Sequence, residues 1–176
     1  GFGFELVSSF RSHGTSVHEI TPALMELISD TETPQGLLAV LPIKAPPVPP
    51  EMDFLLIADE IRDPGNLGTL LRTALAGGVD SVYLPPGTVD PYSPKVIRGA
   101  MGAHFRLPVQ KISWEEIRRN CGGLTIYAAG ADRGTSPWEA DLARPLALII
   151  GSEARGPGNA AGSLTDDWLH IPMPGN

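Results

Sequence analysis

A chain of 176 residues, 42% apolar and with a mean hydropathy near zero, has the length for one full hydrophobic core, or one core and a fragment. No apolar run reaches the roughly 18 residues that a membrane-spanning helix needs. The single cysteine, Cys121, excludes an internal disulfide, and the scattered His13, His18, His104 and His170 show no metal-ligand spacing. The expectation is a cytoplasmic protein without a metal.

The formal charge of −7 runs against a nucleic-acid partner, whose phosphates are normally met by Lys and Arg. The charge is uneven, however. Residues 1–53 hold two bases, Arg11 and Lys44, against seven acids, whereas residues 54–176 hold eleven bases against thirteen acids. A local basic cleft on the nearly neutral larger part is compatible with that distribution.

In chain order, residues 4–9 and 16–20 read as strands. Thr21-Pro22 opens a helix with Leu24, Leu27 and Ile28 on one face, and 37–41 reads as a further strand. Five prolines stand between Pro42 and Pro50, a composition that neither pairs in a sheet nor continues a helix. Residues 45–52 are accordingly read as a linker between a small domain, 1–44, and a larger one, 53–176. The second begins with the apolar strand Phe54–Ala58 and a polar loop, Asp63-Pro64-Gly65-Asn66. A helix follows, with Leu67, Leu70, Leu71, Ala74 and Leu75 on its apolar face, capped by Asp63 or Asn66 and ended by Gly77-Gly78.

Beyond it, 79–84 reads as a strand, and Ser93-Pro94 starts a helix through Val96, Ile97, Ala100 and Met101. Residues 105–109 read as a short strand at an edge, because of Pro108. Ser113-Trp-Glu-Glu116 is a capping box, with its helix running to about Cys121, a packing residue with no evident base partner. Strand 124–129, a brief helix 137–142, strand Leu146–Ile150, a short irregular helix within 156–164 and strand 168–171 complete the chain. Strands that are apolar runs alternating with helices predict an α/β domain with a covered, mostly parallel sheet.

The junction of the first strand and helix is where such sheets place ligands. Arg72 lies four residues after Gly68 on one helical flank, a guanidinium beside a helix start and bare glycine backbone, which suits a phosphate. Taken alone, the same spacing equally describes a helix-start loop and a surface arginine.

Three ordered stretches add a resemblance. Asp63-Pro-Gly-Asn-Leu-Gly68 with Arg72-Thr-Ala74 resembles the first motif of the SpoU (TrmH) branch of the SPOUT RNA methyltransferases. Ala147-Leu-Ile-Ile-Gly-Ser-Glu-Ala-Arg-Gly156 resembles the second, and Leu169-His-Ile-Pro-Met-Pro-Gly175 the start of the third. The resemblance implies a SPOUT-type fold with a C-terminal trefoil knot, an exception to the unknotted rule. It also implies a homodimer and methyl transfer from S-adenosylmethionine to a ribose 2′-hydroxyl of RNA, ribosomal rather than transfer RNA. A catalytically inactive RNA-binding relative is the alternative, and retention of Asn66, Arg72 and Glu153 together favours the enzyme. Residues 1–44 resemble the second half of an L30-like substrate-binding domain.

Carried over by motif, Arg72, Asn66 and Glu153 are the catalytic candidates. The resemblance implies a cofactor pocket formed by Ala129, Gly130, Ile150, Gly151, Ile171 and Met173. Arg62, Lys95, Arg98 and Arg155 are expected near RNA phosphates. The family's third motif continues with a serine, a leucine, an asparagine and a helix; this sequence stops at Asn176, so the methyltransferase domain is expected to lack its C-terminal end.

Overall fold

The structure, a computed structural model, describes residues 2–29, 31 and 33–172. It divides into two compact units, residues 1–42 and 43–176. In the first unit, helix α1 (Phe2–Ser12) replaces the strand expected at 4–9, and the described parts of 16–20 and 37–41 are not strands either. Val7 and Phe10 stand three residues apart, a helical spacing that would place them on opposite faces of a strand, and a lone strand has no neighbour for its backbone groups. Helix α2 (Pro22–Ile28) starts where Thr21 caps it, accepting from the Leu24 amide at 3.3 Å, with Pro22 in the first turn.

The second unit is a sheet of six strands, all parallel. These are β1 (Phe54–Ala58), β2 (Ser81–Leu84), β3 (Val109–Lys111), β4 (Thr125–Gly130), β5 (Leu146–Ile150) and β6 (Asp167–His170), in the order β3-β2-β1-β5-β4-β6. Alternate residues of each strand feed the two faces. Leu56, Ala58, Val82 and Leu84 pack with Leu67 and Leu71 of α3 (Pro64–Ala76) and with Val96 of α4 (Pro94–Ala100). On the other face Leu55, Ile57, Tyr83 and Ile149 pack with Ile117 of α5 (Trp114–Asn120) and Ala161 of α6 (Asn159–Gly162). Burial on both faces is why the strands read as unbroken apolar runs.

Local signals set most boundaries. The Asp63 carboxylate caps α3, accepting from the Asn66 amide at 2.9 Å, and Gly78 (φ +72°) follows its end. Ser113 and Glu116 form the reciprocal capping box of α5. Three expectations fail. The strand placed at 105–109 begins instead at Val109, because a 3-10 turn occupies Ala103–Phe105 and Pro108 has no amide to donate. Ser93 precedes α4 but its hydroxyl makes no capping bond. In place of a helix at 137–142 a single turn closes over 136–140, the Glu139 and Ala140 amides donating to the Ser136 carbonyl, and Tyr127 Oη donates to the Asp141 carbonyl at 2.5 Å.

Gly68 is buried and has a structural role different from an open backbone for a ligand. A Cβ at this position would lie 2.9 Å from Gly99 Cα and 2.9 Å from the Val96 carbonyl oxygen, so the bare glycines let α3 and α4 cross in contact. Gly68→Ala is expected to destabilise the domain by about 1–3 kcal/mol through overpacking, read as a lower thermal midpoint. Among the described residues, no helix is long and apolar enough to cross a membrane.

Candidate active site

From β1 the chain moves outward through β2 to β3, then crosses to β4 on the other side, steps inward to β5 beside β1 and ends on the far edge at β6, so the strand order reverses between β1 and β5. Such a switch point leaves a crevice beyond the carboxyl ends of the strands. The loops after β1 and β5 face each other there.

The β1–α3 loop is clamped on both sides. Toward β5, the Asp59 amide donates to the Ile150 carbonyl at 2.8 Å, and its carboxylate accepts from the Gly158 amide at 2.7 Å. Toward β2, Thr88 Oγ1 donates to the Ala58 carbonyl at 2.8 Å, and the Val89 amide to that of Ile61 at 2.9 Å. Asp59 is 3% exposed, and burial pushes its carboxyl up against the opposing pull of the Gly158 amide. Sequence reasoning missed Asp59; the only signal was a carboxylate directly after a fully apolar strand.

Held this way, Asn66 in the first turn of α3 reaches Glu153 in the loop after β5, with Nδ2 donating to Oε1 at 2.5 Å. A carboxylate only accepts, so the amide must turn its nitrogen to Glu153 and present Oδ1 outward. The Asn66 bond is the main reason the Glu153 carboxyl lies below the ordinary range, so Glu153 is an anion at neutral pH. Arg72 is exposed farther along α3, about 9 Å up the helix axis from Asn66. Among the described residues no hydrogen bond or ion pair joins it to Asn66 or Glu153. The structure therefore brings two of the three catalytic candidates into contact and sets the third on the same helix.

The cofactor candidates end three neighbouring strands. Ala129 and Gly130 close β4 and pair with Leu169 and His170 of β6, while Ile150 closes β5 and leads into Gly151. Ile171 is exposed just after β6; Met173 lies outside the described residues. The glycines here meet protein. The Gly156–Pro157 backbone occupies the place of a Gly151 side chain, and the loop closes with the Gly156 amide on the Ser152 carbonyl at 2.8 Å. A Cβ on Gly130 would meet the Arg133 carbonyl oxygen at 2.7 Å. Gly134 lies against the Trp168–Leu169 backbone, and the Arg133 guanidinium stacks 3.5 Å from the Trp168 ring centroid. Thr135 then pairs with β6 on the edge opposite β4, through its amide to the Trp168 carbonyl at 2.8 Å and from the His170 amide at 3.0 Å.

The basic candidates surround the crevice loops. Arg62 pairs with Glu60 at 2.8 Å, Lys95 approaches Asp63 at 3.7 Å, and Arg155 is exposed in the β5 loop. Arg98 is exposed on α4. Exposed pairs of this kind are worth little and exchange readily for a phosphate. Burial pushes the Cys121 thiol up to about 11, which removes it as a nucleophile. Two grooves lie elsewhere, one lined by Leu84, Pro86, Lys111 and Glu116 beyond β2 and β3, the other by Asp53, Asp80 and Arg144 at the opposite strand ends.

A doubly covered parallel sheet with this crevice is matched by the SpoU rRNA Methylase family over residues 53–176, and the chain belongs to that family. Among its relatives is the 23S rRNA (guanosine(2553)-2′-O)-methyltransferase RlmP of Bacillus subtilis, 33% identical over 171 residues, covering 92% of this chain and 66% of that protein. The chain spans less than two thirds of the length of the curated relatives it matches. Among solved structures, a protein of the TrmH family from Porphyromonas gingivalis superposes with a TM-score of 0.80 at 35% identity, covering 93% of this chain and 67% of that one. The SpoU methyltransferase AviRb from Streptomyces viridochromogenes, in complex with AdoMet, gives 0.65 at 30% identity over 73% of this chain and 55% of its own.

Proposed function

We propose that the protein transfers a methyl group from S-adenosylmethionine to a ribose 2′-hydroxyl of ribosomal RNA. The observation that carries this reading is the Asn66–Glu153 bond of 2.5 Å, which joins the first and second motifs across the switch point. The cofactor candidates suit the adenine end of such a molecule. Ala129, Gly130, Ile150 and Gly151 are half-buried, none is charged, and Ile171 offers an exposed apolar wall. When bound, the sulfonium supplies an electrophilic methyl group.

The chain's own residues then have distinct tasks. A ribose hydroxyl is a poor nucleophile, so the site must align it and stabilise its developing negative charge. Asn66 Oδ1 accepts from the hydroxyl and orients it, while Glu153 fixes the amide that does so. Arg72 keeps its proton and acts as an electrostatic partner of phosphate and alkoxide, and the proton that the hydroxyl gives up as its oxygen takes the methyl group leaves to solvent water. Arg62, Lys95, Arg98 and Arg155 contact the flanking phosphates. Because Glu153 lies below the ordinary carboxylate range, its tie to Asn66 persists above that range and is lost only as pH falls through the lowered value.

The wider assembly is proposed on the same footing. A trefoil knot is supported by Thr135 on the outer edge of β6, since the chain leaving β4 crosses there before returning to β5. A homodimer gives the exposed Arg72 a second surface across which to act. Residues 1–44 serve as part of an L30-like substrate-binding domain, joined through the linker 45–52. A single free, buried cysteine is consistent with the cytoplasm.

The test is methyl transfer from labelled S-adenosylmethionine to ribosomal RNA from cells lacking the gene. Asn66→Ala and Glu153→Ala should each lower kcat, and the double variant should be little worse than either, since the two act as one unit. Full additivity would break the link between them.

A further inference from the structure

We infer that the end of α4 and the 3-10 turn after it form a stacking surface for unpaired RNA bases, beside the site rather than in it. The inference rests on the RNA-methylating reading and adds how the RNA is held. The buried face of this segment is fixed. Val96, Ala100 and Ala103 enter the core, and Gly99 lies against Gly68. The opposite face carries three large apolar side chains in solvent, Ile97 at 47% exposure, Met101 at 74% and Phe105 at 72%.

Ile97 lies on α4 and Met101 follows the last residue of that helix as its cap. Met101 takes a left-handed backbone (φ +50°) that a side chain rarely adopts, and Gly102 (φ +86°) turns the chain so that the Phe105 ring lies beside it. The turn thus holds an aromatic ring and a thioether outward.

Charge selects the partner. Residues 91–114 contain Lys95, Arg98, Arg106 and Lys111 and no acid, within a chain of net charge −7; Lys111 is paired with Asp90 at 2.8 Å and Lys95 approaches Asp63 at 3.7 Å, exposed pairs that a phosphate can replace. An aromatic face between cations fits single-stranded nucleic acid, in which every base offers a π-face and every linkage a phosphate. A neutral apolar partner would not call for the cations. The helix that carries the surface starts beside the site, because Lys95 Cε lies 3.8 Å from the Cβ position of Gly65, next to Asn66.

The experiment measures binding of a short labelled single-stranded RNA, and of its duplex, without cofactor. Phe105→Ala should weaken single-strand binding roughly ten-fold with the salt dependence unchanged, and Phe105→Trp should restore it. Arg106→Ala should instead lower the salt slope by about 0.7. Thermal midpoints and sedimentation of Phe105→Ala should match the wild type. Equal affinity of Phe105→Ala and wild type for the single strand overturns the inference. A shift of Phe105→Ala to a smaller assembly also overturns it, by making this face a contact with a second copy. Cofactor-free binding separates this failure from failure of the methyl-transfer reading.

Discussion

Replacing Arg72 by alanine is expected to lower kcat by about 10²–10³-fold, the cost of losing one preorganised charge at a developing oxyanion. The side chain is exposed, so the thermal midpoint should barely move, as for surface substitutions generally. Arg72→Lys should recover only part of the rate, because an ammonium keeps the charge and loses the planar fork that grips a phosphate. If Arg72 served instead as a proton acceptor, lysine would shift the pH profile. In the electrostatic role the profile keeps its shape and only its height falls.

Gly151→Ala should have the largest effect on stability. The space its methyl needs is filled by the Gly156–Pro157 backbone, which is itself held by the Ser152 bridge and the Asp59–Gly158 bond. Main chain cannot rotate aside as a side chain does, so a cost above about 3 kcal/mol is expected, a drop of roughly 10 °C in midpoint. The displaced loop carries Glu153, so methyl transfer should fall with it. Gly156→Ala is the control. It meets no atom within 4 Å but has φ +66°, and should cost only about 1–2 kcal/mol.

The larger unit was legible from local chemistry because its signals agree. Asp63, the Leu67–Leu71 stripe and Gly77-Gly78 all describe one helix, and strands buried on both faces reveal themselves as apolar runs. The first unit departs from its expectation because a short apolar run suggests a strand, whereas Val7 and Phe10, three residues apart, share a face only in the helix that forms. Gly68 was read as open backbone because a sequence does not show that Gly99 of another helix lies against it. The meeting of Asn66 with Glu153 spans 87 residues and followed only from the family motifs, not from spacing. Asp59, Thr135 and Gly134 escaped notice for the same reason, as their partners lie on strands and loops distant in sequence.

The central claim is that this crevice directs a methyl group to a ribose oxygen. Alkali cleaves RNA through the free 2′-hydroxyl, so a methylated ribose leaves its linkage intact. After labelled transfer to ribosomal RNA and full alkaline hydrolysis, the label should be recovered in alkali-stable dinucleotides and accumulate there about 10²–10³-fold more slowly with Arg72→Ala. Label in mononucleotides, marking a methylated base, or equal label with and without Arg72, would contradict the account.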